Sequence, residues 1–204
     1  REDNRRFHGI MAVVSNAHKG DVIRIPEEDR DLEIVHLVIK STNPVLHVIG
    51  VYVDVESRTT AEKVQSHWSK LTNKIEEILK LGEAVSLQGD FNRPLECPRP
   101  SMGTKLLREW VKEGKMRLLD DKIPTRIDPA SGRGSVLDLH MVSENIATCV
   151  KEYYVDSDKK MTPFSIKKDK EELKRRFTDH NAILAKIVLP MAQKKRAKKE
   201  PVIN

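Results

Sequence analysis

The sequence predicts an α/β (α+β) fold, a two-sheet sandwich with flanking helices. Three observations predict it. Short runs rich in branched apolar residues recur along the chain, divided by Gly, Asn and Pro. One segment, 61–81, changes to apolar steps of three and four. The resulting order is strands, long helix, strand, helix, strands, which two packed sheets with helices outside accommodate.

Taken in order, residues 1–7 are polar and read as a linker or disordered start. Residues 8–15 (His-Gly-Ile-Met-Ala-Val-Val-Ser) form an apolar run of strand length. Strands are also predicted at 21–25, 31–40 and 45–55, with Asn43-Pro44 breaking the last two apart, as in an antiparallel meander. Ala61, Val64, Trp68, Leu71, Ile75, Ile78 and Leu79 then lie on one face of a helix. Thr59 or Thr60 can cap its start and Gly82 can close its end. A short strand at 84–88 runs into Gly89-Asp90-Phe91-Asn92, and 93–103 is a proline-bearing loop. A second helix is predicted at 104–112, strands at 116–119, 135–143, 149–155 and 182–189, and a loop at 122–134. Residues 156–176 are densely charged. The domain is expected to span 8–190, followed by a basic tail at 191–204.

Composition narrows the class. The chain has 204 residues, 38% of them hydrophobic, enough to pack a core rather than remain wholly disordered. No apolar run is long enough to span a membrane, so no membrane partner is expected. Two cysteines, Cys97 and Cys149, exclude a disulfide scaffold and a thiolate metal site. The expected setting is the nucleus or another reducing intracellular compartment. The formal charge is +6, but Lys194, Lys195, Arg196, Lys198 and Lys199 are crowded into the tail. That tail reads as a grip on nucleic-acid phosphates or as a localisation signal, and the body alone is weakly basic.

Three polar clusters stand at strand ends or inside strands, where apolar residues are expected: Gly89-Asp90-Phe91-Asn92, Asp138, and Asp179-His180. A carboxylate inside Ser-Val-Leu-Asp-Leu-His-Met-Val would cost several kcal/mol if buried unpaired, so Asp138 needs a partner. His180 is the candidate, since a carboxylate on one imidazole nitrogen fixes the tautomer and raises the basicity of the other. Asp90 and Asp179 offer hard oxygen ligands for Mg²⁺ (or Mn²⁺). Asn92 offers an amide to a phosphate oxygen. The set suits metal-assisted attack of water on a phosphodiester. Weighed against this, Gly-Asp-x-Asn is also an ordinary turn. His140, on the same face as Asp138, is expected to be structural or solvent-facing. His8, His18, His36, His47 and His67 lack ligand spacing and are expected to be solvated or capping. Trp68 and Trp110 occupy helix-core positions.

With these pieces in order, the sequence resembles the endonuclease/exonuclease/phosphatase superfamily, and within it the nicking endonuclease domains of non-LTR retrotransposons. Val48-Ile49-Gly50-Val51-Tyr52 resembles the strand that ends in an active-site Tyr. Leu87-Gln88-Gly89-Asp90-Phe91-Asn92 carries the Gly-Asp-Phe-Asn motif. Pro124-Thr125, Ser135-Val136-Leu137-Asp138 and Thr178-Asp179-His180 resemble the Pro-Thr, Ser-x-x-Asp and Ser/Thr-Asp-His motifs. The resemblance implies that Asp90 acts on the attacking water or the leaving group. It implies that Asn92 holds the phosphate and that His180, paired with Asp138, contacts it. Asp179 is implied near the metal, Tyr52 against the phosphate, and Thr125, Ser135 and Thr178 around it. The family's upstream Asn and its metal-binding Glu have no counterpart here, nor does the Pro that usually follows the Tyr. The expectation is an N-terminally incomplete fold, completed by a missing segment or a partner polypeptide, that nicks DNA rather than RNA. The alternative is an inactive relic serving as a binding or structural subunit of a nucleoprotein complex.

Overall fold

The computed structural model describes residues 10–16, 21–25, 33–53, 60–128, 130–158 and 179–192. Thr178 and the basic residues 194–199 lie outside them, as does nearly all of 156–176.

Branched residues build the first three strands, β1 (Val22–Ile25), β2 (Glu33–Ile39) and β3 (Leu46–Tyr52), which pair antiparallel in sequence order. Helix α1 (Ala61–Lys80) starts at Thr60, whose hydroxyl accepts from the Lys63 amide at 3.3 Å. Its stripe of Val64, Leu71, Ile75 and Ile78 is buried, as the spacing predicts. The helix returns the chain so that β4 (Ala84–Asp90) lies parallel to β3. Helix α2 (Met102–Lys112) is capped by Ser101. Then follow β5 (Met116–Leu119), β6 (Arg126–Ile127), β7 (Gly134–Ser135), β8 (Asp138–Ser143), the 3-10 helix Glu144–Cys149, β9 (Val150–Val155) and β10 (Ile183–Ile187).

Six strands form the main sheet in the order β1-β2-β3-β4-β8-β5, with β9–β10 and β6–β7 as separate pairs. Alternation along each strand divides the side chains between two layers. Ile49, Val51, Val85, Leu87, Leu139 and Met141 pack under α1 and α2, together with Phe91 and Trp110. Leu46, Ala84 and Val142 face the 3-10 helix, with Val150 of β9 and Ile187 of β10 packed against them. The sandwich is therefore present, with a second sheet of two strands among the described residues. Trp68 meets Trp110 and Phe91 edge-on, with ring centroids 5.7 and 6.3 Å apart, so both tryptophans are core residues.

Several expectations need correction. The apolar residues 10–16 enter no strand, and Met11 and Val13 are each 83% exposed. The run 135–143 is divided between β7 and β8, and the loop 122–134 contains β6. His36 and His47 are not solvated: both are buried, and His36 Nε2 lies 2.8 Å from His47 Nδ1. His140 is buried, with Nε2 2.8 Å from Ser86 Oγ, which makes it structural. Past Pro190 the chain still touches the body, through a bridge between Thr42 and Met191 and a bond from the Ala192 amide to the Ser41 carbonyl. Among the described residues, no helix is long and apolar enough to cross a membrane.

Candidate active site

The register of the main sheet places a polar row at one end. Glu33 pairs with Tyr52, Tyr52 with Asp90, and Asp90 with Asp138, so one line crosses β2, β3, β4 and β8. Partners in register project to the same face, here the face that carries Val142 and β9. Asp90 is the last residue of β4 and Asp138 the first of β8.

Asp90 is held by its neighbours in sequence. Gly89, at φ 149°, lies against β3 so closely that a Cβ would sit 1.8 Å from the Val51 carbonyl oxygen. Phe91, fully buried, anchors the next residue. Asn92, at φ 47°, turns the chain so that its amide donates to Asp90 Oδ1 at 2.8 Å, while its side-chain Nδ2 donates to the Val53 carbonyl at 2.8 Å. Asn residues tolerate this left-handed backbone. Burial pushes the Asp90 carboxyl above the usual range; the Asn92 amide opposes the shift and the nearby Asp138 adds to it.

Asp138 has the partner its position demands. Its Oδ2 accepts from His180 Nδ1 at 2.8 Å. That bond raises the His180 pKa above its ordinary value, against the opposing effect of burial. Thr125 has no exposed surface, and its hydroxyl accepts from the amides of Leu137 and Asp138 at 3.0 and 2.9 Å. It shapes the site by holding the backbone of Asp138. Ser135 is half-buried, and its carbonyl accepts from the Thr125 amide. The segment after Thr125 is stitched to the chain around His180: Arg126 bridges His180, the Ile127 amide donates to the Asp179 carbonyl, and the Asn181 amide donates to the Thr125 carbonyl.

One atom each from Asp90, Asp138 and His180 lie within 4.8 Å of one another. The Asp90 and Asp138 carboxylates in this group are close enough to share a divalent cation, and the burial and like charge that raise the Asp90 pKa are costs such an ion would relieve. Asp179, expected beside the metal, is outside this group. Its Oδ2 takes the Nε–H of Arg126 at 2.8 Å, and that guanidinium holds the carboxyl below its ordinary range. Arg126 is the site residue that sequence reasoning missed. A lone Arg after Pro-Thr has no chemical signature until the fold brings it to Asp179, 53 positions away.

No protein-family model matches the sequence, and no curated protein matches it. Among solved structures, the chain is similar to the endonuclease domain of TRAS1, a telomere-specific non-LTR retrotransposon (TM-score 0.58, 18% identity, covering 83% of this chain and 67% of that one). It is also similar to the 3′ phosphatase NExo from Neisseria bound to a product DNA hairpin (TM-score 0.57, 18% identity, 82% of this chain and 70% of that one). A third is the catalytic domain of Xenopus laevis APE2 (TM-score 0.56, 16% identity, 81% and 57%). The layered sheet, its flanking helices and these likenesses agree: the chain has the endonuclease/exonuclease/phosphatase fold.

Proposed function

We propose that the chain hydrolyses phosphodiester bonds in nucleic acid, DNA before RNA, as a metal-dependent nicking endonuclease. The observation that carries this reading is the assembly of Asp90, Asp138 and His180 from three distant segments into one cluster, with Tyr52 in the same row. The solved structures in support are an endonuclease domain and a phosphatase holding DNA.

Asp90 Oδ1 is engaged by the Asn92 amide, so Oδ2 orients the attacking water and accepts its proton. Asp138 keeps His180 protonated at Nδ1, and Nε2–H donates to an oxygen of the phosphate as negative charge builds there. Asn92 and Tyr52 are the further residues proposed against the phosphate. The carboxylates of Asp90 and Asp138 would hold Mg²⁺ or Mn²⁺, which when bound supplies Lewis-acid neutralisation of the phosphate oxygens.

We further propose that an additional segment or a partner polypeptide covers the exposed apolar residues Met11 and Val13. Their exposure and the two-stranded second sheet support this. The basic residues 194–199 are proposed to grip phosphates, and the nucleus is the proposed location.

The test is nicking of supercoiled plasmid with Mg²⁺ or Mn²⁺. His180→Ala and Asp90→Asn are each expected to lower the rate by about 10²-fold or more. Equal rates in wild type and both variants would sink the reading.

A further inference from the structure

Beside the Asp90–Asp138–His180 cluster stands one cation that the proposed chemistry has not used. Arg126 is fixed from both sides: its backbone pairs with Ser135 on β7 and bridges His180. Its side chain is fixed at one point, the bond from Nε to Asp179 Oδ2 at 2.8 Å. Among the described residues this is its one side-chain hydrogen bond, so the donors on its two terminal nitrogens are not engaged. The side chain is 35% exposed. Its charge reaches the cluster, since Arg126 lowers the proton affinity of Asp90 and Asp90 in turn raises that of Arg126.

We propose that Arg126 is the phosphate clamp of this site. The terminal edge of its guanidinium binds a non-bridging oxygen of the phosphate group undergoing hydrolysis, and Asp179 orients the clamp rather than holding the cation. This deepens, and rests on, the hydrolase reading above. The geometry suits the role. A planar guanidinium held through Nε leaves its terminal edge open, and that edge presents two parallel N–H groups, the arrangement that matches phosphate oxygens. A point charge on a flexible stem does not reproduce this. An ordinary surface ion pair would need neither the double backbone anchorage nor a position beside a carboxylate–imidazole cluster. The charge sequence also has a purpose. Asp179 is paired with Arg126 and lies outside the three-residue group, leaving Asp90 and Asp138 as the carboxylates available to a cation.

The experiment titrates the full chain with inorganic phosphate and, separately, with Mn²⁺, both by calorimetry, in wild type, Arg126→Lys, Arg126→Ala and Asp179→Asn. The expected result is a loss of phosphate affinity of about tenfold in Arg126→Lys and more in Arg126→Ala, with Mn²⁺ affinity unchanged in both. Asp179→Asn is expected to weaken phosphate severalfold and to leave Mn²⁺ affinity within twofold of wild type. Far-ultraviolet circular dichroism identifies a misfolded alanine variant, and the lysine variant then decides. Phosphate affinity unchanged in Arg126→Lys would overturn the clamp. A tenfold fall in Mn²⁺ affinity in Asp179→Asn would overturn the orienting role. Both titrations are read without turnover, so an inert wild-type protein in the plasmid assay counts against the hydrolase reading alone.

Discussion

At the scale of single residues, the pairing of Asp138 with His180 joins two distant segments at the candidate site and carries a pH signature. The bond to the carboxylate raises the folded-state pKa of His180 above its ordinary value of 6.5. The unfolded chain therefore binds fewer protons between these two values. The pair contributes stability fully below the ordinary value, and that contribution fades as pH rises through the raised one. Asp138→Asn removes the carboxylate's charge while keeping an acceptor oxygen. The His180 ring protons, followed by NMR, should then titrate at lower pH than in wild type, and the alkaline limb of any nicking activity should move down with them. A variant that titrates with wild type would show that Asp138 does not set the imidazole's proton affinity. This partnership was legible in the sequence because an Asp inside an apolar strand demands a partner. Arg126 was not legible, because exposed arginines are common and its meaning comes only from where β6 crosses the segment 179–181.

At the scale of elements, the chain wrote its helix α1 plainly. Seven apolar residues at helical steps, a threonine cap and a closing glycine are local information, and the helix forms as they specify. Strands carry less. A strand exists only where a neighbour offers a ladder, so 8–15 is a fair strand by composition, yet residues 10–16 remain outside every sheet. Conversely, β6 and β7 are two residues each and have no pattern to read. The pairing of His36 with His47 is likewise a product of β2–β3 register and invisible in spacing. Register also gives Gly89 its role. A Cβ there would meet the Val51 carbonyl oxygen at 1.8 Å and the Val51 carbonyl carbon at 2.8 Å, so β3 and β4 would have to part exactly where Asp90 is presented. Gly82, at φ 75°, has nothing within 4 Å of its virtual Cβ and stands only for left-handed backbone. Gly82→Ala should cost about 1 kcal/mol, and Gly89→Ala about 3 kcal/mol. Urea unfolding midpoints of the two variants check the ranking, and equal costs would mean that the β3–β4 approach is not tight.

At the scale of the whole molecule, two buried histidines far apart in sequence make the fold sensitive to acid. His140 is 4% exposed, bonded to Ser86 Oγ and set edge-on to Tyr153 of β9, and burial lowers its pKa to about 4. His36 is 5% exposed and lies under α1, where burial, then Lys74, then His47 bring it to about 4. Beyond it, His47 Nε2–H donates to Glu83 Oε2 at 2.5 Å, and His47 Nδ1 accepts from His36 Nε2–H. Both His36 and His140 are thus neutral in the fold. The unfolded chain protonates each near 6.5, so between that value and about 4 it binds more protons than the native state. Stability is complete above the unfolded value and is lost progressively as pH falls toward the folded one. For His140 alone the difference is about 3 kcal/mol, a large share of an ordinary domain's margin. The thermal midpoint should therefore fall steadily from pH 6.5 to pH 4, and more gently below. His140→Gln keeps a polar partner for Ser86 and removes the titration, so its midpoint should start lower at neutral pH and fall less steeply. A wild-type midpoint that is flat across this window would show that neither imidazole is held neutral by the core.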